Sequence, residues 1–298
     1  MFGYTGDEHV TGLWVRHLAL GILVALSVSA GTESVRDQAE NLYQRTGYQA
    51  AVDLLNKQSP KDAATYELMG RCYYGLADFK KSTEALERAV AMDSSKSNYF
   101  LWLGRAYGRR AETSAFLTAP GHATKARANF ERAVALDPRN LPALNDLFEY
   151  YLQAPGFLGG GFDKATALAE KIRTLDPVEY HFTQARLAEK RKEFNHAEAQ
   201  LRRAVDLAPR QVGRVIDLAK FLAKQGRYQE SEAAFQTAHK IEPRSPKLLF
   251  EQAATYIETK RNLETARTLL KQYLDAALTP EDPPRQEAER LLKASSGG

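Results

Sequence analysis

The chain has 298 residues and sets 41 Lys and Arg against 37 Asp and Glu, a formal charge of +4. So small and scattered an excess argues against a nucleic-acid partner, which calls for a clustered basic stripe, and 44% hydrophobic with 26% charged residues argues against disorder. The one cysteine, Cys72, excludes an internal disulfide and a cysteine-based zinc site and reads as a small buried hydrophobe on an apolar helix.

At the N-terminus, Arg16 and His17 precede an apolar run from Leu18 to Val28, closed by Ser29, Ala30 and Gly31. A charged start, a short apolar middle and small residues before a cleavage point predict a secretory signal over residues 1–30, cut between Ala30 and Gly31. The run falls short of the ~20 residues that a spanning helix needs. An uncleaved membrane anchor is the alternative. Asp7 and Glu8 are unusual in such a start, which fits translation beginning later, for instance at Val15. The expectation is a bacterial protein that is exported and periplasmic, or held at the inner membrane by this segment alone.

From residue 32 onward small residues recur where two helices must touch. Ala39, Gly70, Gly104, Ala185, Ala219 and Ala254 each sit in a first helix; Ala51, Ser82, Ala126, Ala165, Ala197, Ser231 and Ala266 each open a second. The step from first to second is twelve residues in five units, and equivalent units lie 34 apart, as from Gly70 to Gly104 and from Ala185 to Ala219. A fixed period in this range marks a stacked helical array. Second helices then carry a large residue at +4 and a small one at +7, as in Phe130 and Ala133 or Phe235 and Ala238, which share one helical face. Asp137-Pro138, Asp176-Pro177, Ala208-Pro209 and Glu242-Pro243 mark the turns between units, because proline cannot continue a helix.

The stretch "FLWLGRAYG", followed by Ala126, Phe130, Ala133 and Pro138, resembles the tetratricopeptide repeat family, and "VIDLAKFLAKQGRYQESEAAFQTAHKIEP" is a second good match. The resemblance covers residues 32–280 and implies an all-α fold. That fold is a right-handed superhelical solenoid of about seven helix-turn-helix units, with a C-terminal capping helix over 283–294.

Two consecutive units depart from the twelve-residue step, with insertions near 108–120 and 154–162, each holding a Pro-Gly step. The second, "APGFLGGGFDKA", has the look of a phosphate loop. It lacks the Lys-Ser/Thr pair and the third glycine of the dinucleotide pattern, and it follows a predicted helix where both motifs need a strand. Pro155, Gly156, Phe157, Leu158, Gly159, Gly160 and Gly161 therefore predict a long turn, with Asp163 capping the next helix and glycines supplying positive φ. Phe157, Leu158 and Phe162 are expected to pack on the neighbouring insertion at Phe116 and Leu117; a partner-binding loop is the alternative.

The resemblance also implies that the first helices line a concave groove holding an extended or helical peptide. The residue after each small position, and the one a turn later, would face it. Arg71, Arg105, Arg109, Arg186, Lys190, Lys220 and Lys224 make seven of those twelve positions basic against one acidic, Glu149, with Thr255 and Thr259 in the last unit. Tyr74 would be an aromatic contact there. Such a groove would attract an acidic segment or a C-terminal carboxylate, although the exposed cations could equally be solvated. The six histidines form no metal spacing and no serine sits in a G-x-S-x-G elbow, so neither an enzyme nor a cofactor is expected. Function is thus read as a non-catalytic protein- or peptide-binding scaffold. The alternative is a structural component of an envelope assembly acting through the inserted loops.

Overall fold

The computed structural model describes residues 34–295, and the segment expected to be a signal or anchor lies outside the described residues. Fifteen α-helices and one short 3-10 turn follow one another, with no strand among the described residues. Fourteen of them fall into pairs: α1 (Val35–Gln44) with α2 (Tyr48–Asn56), α3 (Ala63–Gly75) with α4 (Phe79–Met92), and α5 (Ser97–Thr113) with α6 (Ala119–Leu136). Then come α7 (Leu141–Gln153) with α8 (Phe162–Leu175), α9 (Pro177–Lys190) with α10 (Phe194–Leu207), and α11 (Val212–Lys224) with α12 (Tyr228–Ile241). The pair α13 (Pro246–Glu258) and α14 (Leu263–Asp275) precedes a single last helix, α15 (Arg285–Ser295).

The sequence signals sit where these boundaries fall. Asp137, Asp176, Ala208 and Glu242 are the C-caps of α6, α8, α10 and α12. Asp176 also starts α9, its carboxylate accepting from the Val178 and Glu179 amides, so one residue closes a helix and opens the next. Within a pair, the small residue of the first helix meets the large residue of the second. A Cβ on Gly104 would lie 2.6 Å from the Phe130 ring, so only a bare Cα admits that ring. The core runs along the array as successive clusters, Phe148, Phe235 and Tyr273 being the largest fully buried side chains. On α15, Ala288 is buried, with Leu291 and Leu292 packed against the last pair; the final apolar face is covered as a terminal helix should cover it.

Three local expectations are corrected. Most of the extra residues near 108–120 lengthen the helices themselves: α5 has 17 residues and α6 has 18, against 13 and 14 in the pair α11 and α12. Only residues 114–118 are a turn, so this pair is a hairpin standing about one helical turn taller at the edge it shares with neighbouring turns. In the glycine-rich segment, Asp163 does not cap; it lies inside the first turn of α8, whose N-cap is Gly161. There its charge still suits the positive end of the helix. Finally, Phe157 does not pack down on the neighbouring insertion: it is 83% exposed, and Phe116 and Leu117 are 88% and 90% exposed. Phe162 joins the core, and Leu158 is half-buried.

The glycine segment is tied down through its backbone. The Leu158 carbonyl accepts from Tyr150 Oη at 2.9 Å and from Arg127 Nη1 at 3.2 Å, and the Gly161 amide donates to the Tyr151 carbonyl at 2.9 Å. Gly159 is left-handed at φ 84°, with a Cβ position already taken by the Arg127 guanidinium. The segment follows α7, a helix and not a strand, and it bends the chain.

Candidate partner-binding wall

The first helices of consecutive pairs lie side by side, and charged side chains cross from each to the next. Arg71 on α3 reaches Glu40 on α1 at 3.4 Å, and Arg105 on α5 reaches Asp146 on α7 at 2.6 Å. Arg186 on α9 reaches Glu149 on α7 at 3.0 Å, Arg214 on α11 reaches Glu179 on α9 at 2.8 Å, and Lys220 on α11 reaches Glu251 on α13 at 2.5 Å. The tally of seven cations to one acid therefore describes half of the wall. Three or four residues before a counted position lies on the same helical face, and there stand Asp146, three before Glu149, Asp217, three before Lys220, and Glu251, four before Thr255. Reading that row as well as the basic ones would have revealed the ladder.

In the last unit the residue that packs is Ala253, fully buried and 34 positions after Ala219, rather than Ala254. The register moves by one. Thr255 consequently points inward, 4% exposed, and the groove position is Glu258, which stands 3.9 Å from Lys224.

Burial sorts these pairs. Burial pushes the carboxyls of Glu67, Asp146, Glu179 and Asp217 above the ordinary carboxylate range, with the nearest arginine in each case pulling the other way. Burial would lower the guanidinium pKa of Arg71 and of Arg186, yet Glu67 and Tyr43 around the first and Glu149 beside the second hold them up. Charges this desolvated are held by their partners and not free for a visitor. Arg71, Arg105, Arg186 and Lys220 thus stitch the array together. Arg109, Lys190 and Lys224 differ. Arg109 is 44% exposed and pairs with Glu112 of its own helix; Lys190 reaches Gln153 at a marginal 3.5 Å; Lys224 and Glu258 are both largely exposed. Exposed pairs of this kind are weak and exchange readily.

Near α3 and α5 the wall becomes aromatic. Tyr74 meets the rings of Phe79 and Trp102 edge-on, each at 5.5 Å between centroids. The Arg71 guanidinium lies 4.1 Å from the Tyr43 ring centroid, Arg105 lies 4.8 Å from Trp102 and Arg109 lies 5.2 Å from Phe79. Such stacking gives a guanidinium a second mode of attraction. Tyr74, Trp102, Arg71 and Arg109 line a cavity of about 920 Å³ whose far side is the C-terminal segment, including Pro283, Arg285 and Arg290. Sequence reading assigned that segment to capping alone. Its apolar face does cap, while its charged face turns toward the first pairs. Nothing in the local spacing could show this, since it depends on how far the whole array curves.

Cys72 is fully buried and its thiol is pushed up to about 12 by burial, as a core residue rather than a nucleophile. Among the described residues no cluster of His, Cys, Asp and Glu has a metal-binding arrangement, and no helix is long and apolar enough to cross a membrane.

The tetratricopeptide repeat profile matches residues 63–96, the pair α3 and α4. Among solved structures, a tetratricopeptide repeat protein from Parabacteroides merdae is similar with a TM-score of 0.58 at 14% identity, covering 88% of this chain and 98% of that one. A thermophilic tetratricopeptide protein from Thermus thermophilus is similar with a TM-score of 0.52 at 22% identity, covering 63% of this chain and 97% of that one. No curated protein matches in sequence. At these identities the likeness is one of fold. The pair α3 and α4 thus matches a tetratricopeptide repeat, and the array around it has the fold of tetratricopeptide-repeat proteins.

Proposed function

We propose that this chain is a scaffold that holds an acidic protein segment, or a C-terminal carboxylate, against its wall of first helices, anchored at the cavity beside α3 and α5. Repeat arrays present extended concave surfaces to protein partners, and the fold is in general a non-catalytic one. The observation that carries the reading is the joint presence there of exchangeable cation and open aromatic surface. Arg109 can release Glu112 at small cost, while Tyr74, Phe79 and Trp102 offer rings for an apolar side chain next to the acid. The rest of the wall supplies complementarity in shape. Its paired charges would reject a strongly basic or strongly acidic surface at the wrong register.

The test is anisotropy with fluorescent synthetic peptides: an acidic peptide with a free C-terminus, its amidated form and a basic control. The acidic peptide should bind, weakening as salt rises. Arg109→Glu should weaken it by roughly tenfold or more, while Arg244→Glu, at the turn before α13, should not. Equal binding of the acidic and basic peptides, or no loss in Arg109→Glu, would sink the reading.

A further inference from the structure

Phe116 and Leu117 stand at the tip of the lengthened α5–α6 hairpin and are 88% and 90% exposed, the two most exposed of the large hydrophobic residues among those described. Nothing in the array requires them there. The turn that carries them is closed on itself: the amides of Thr118 and Ala119 both donate to the Ala115 carbonyl, at 2.9 and 3.1 Å, and Thr118 Oγ1 does so at 3.0 Å. The turn thus holds its shape through the Ala115 carbonyl, with the Phe116 and Leu117 side chains projecting from it into solvent. Just behind it the hairpin is basic. It carries Arg109, Arg110 and Lys125 against Glu112, while Arg127, further back, is held by the Leu158 carbonyl and Glu131. The start of α4 lies alongside, bringing Lys80, with the N-cap Asp78, to the same edge as Arg110 and Ser114. Phe157, in the turn between α7 and α8 of the next pair, is exposed as well.

We propose that this edge docks on an anionic lipid bilayer, with Phe116 and Leu117 entering the interfacial zone and the basic collar meeting lipid phosphates. Two features favour a bilayer over a protein. The apolar pair stands on a convex tip, which a deformable surface can take in without a matching pocket. The collar carries the sign opposite to that of anionic headgroups, each Lys or Arg raising the affinity about fivefold near such a surface. This contact does not involve the N-terminal apolar run, and it would hold the wall of first helices at a set orientation to the membrane.

The experiment uses the full chain with an environment-sensitive fluorophore on Ala115→Cys, Cys72 being buried and slow to react, and a control label on Arg244→Cys at the opposite edge. Vesicles of neutral phosphatidylcholine are compared with vesicles containing phosphatidylglycerol, each with and without nitroxide-bearing lipid. On the anionic vesicles the label at 115 should shift to the blue and be quenched by the nitroxide, the label at 244 should stay aqueous, and high salt should reverse the change. Adding Phe116→Ser and Leu117→Ser should lower the lipid response by about tenfold or more, with the circular dichroism unchanged because both side chains are exposed. A label at 115 that remains aqueous on every vesicle overturns the proposal. So does a shift that appears without lipid and grows with protein concentration, which would make the tip a protein contact.

Discussion

The first three pairs and the last three are built on one period, yet they use it differently. From α9 to α14 the units repeat with Ala185, Ala219 and Ala253 buried 34 apart, the helix wall is crossed by carboxylate–cation pairs, and the exposed rings, Phe194 and Tyr228, open second helices. From α1 to α6 the wall carries Tyr43, Tyr74, Phe79 and Trp102, the hairpin is lengthened and the cavity opens. Regularity here goes with structure, and the departures from it gather the surface a partner could use. A chain that needs only to stack can keep every unit alike, because each contacts its neighbours alone.

That contrast can be broken in three places. The largest effect is expected in the regular half. Arg214 and Glu179 are 13% and 11% exposed, so Arg214→Ala should leave buried carboxylates unpaired and cost about 3 kcal/mol in denaturant unfolding. Lys224→Ala, at an exposed pair, should cost less than about 0.5 kcal/mol. The pH dependence follows from the same burial. With the folded pKa of Glu179 and Asp217 raised, the folded chain holds those protons more tightly than the unfolded one. Their contribution is complete below the ordinary carboxylate value near ~4 and is lost as pH rises through the raised one. Asp217→Asn should therefore flatten part of the fall in stability between about pH 4 and neutrality. Similar losses for Arg214→Ala and Lys224→Ala would remove the distinction between stitched and exchangeable pairs.

The next effect lies in the irregular half. Gly104→Ala places a methyl group 2.6 Å from the Phe130 ring and should cost about 1–3 kcal/mol as overpacking. The corresponding residue of the regular half is already alanine, Ala219, in the core with Phe235. A neutral Gly104→Ala would show that α5 and α6 can separate to the spacing used there. The smallest effect is a gain. Thr46, in the turn from α1 to α2, is held at φ 56°, where the equivalent turn of the regular half has Gly226 at φ 76°. Thr46→Gly should raise stability by about 1 kcal/mol, visible as a higher urea midpoint; a loss would mean that the threonine side chain is needed.

Much of the fold was legible because its signals are local and repeated. The small-to-large spacing from Gly104 to Phe130 and the Asp-Pro steps at Asp137 and Asp176 state the pairing many times over, and one ambiguous unit is corrected by its neighbours. The one-residue slip at Ala253 arose where two adjacent alanines satisfy the pattern equally, and only burial separates them. The candidate wall was legible in part. Arg71, Arg105 and Arg186 lie on first helices, but their partners Glu40, Asp146 and Glu149 come from neighbouring units 31 to 41 residues away. A tally made one row at a time cannot see them.

By itself the sequence determined that helices form, where they end and how each pair packs, because those outcomes follow from contacts within one or two units and recur down the chain. Tertiary structure alone decided which charges are neutralised, that Phe116 and Leu117 stand in the open, and that α15 turns a charged face to the cavity beside α3 and α5. The first two depend on how adjacent pairs are set beside one another and on which way a turn projects, the last on the path of the whole array, and no single repeat encodes any of them.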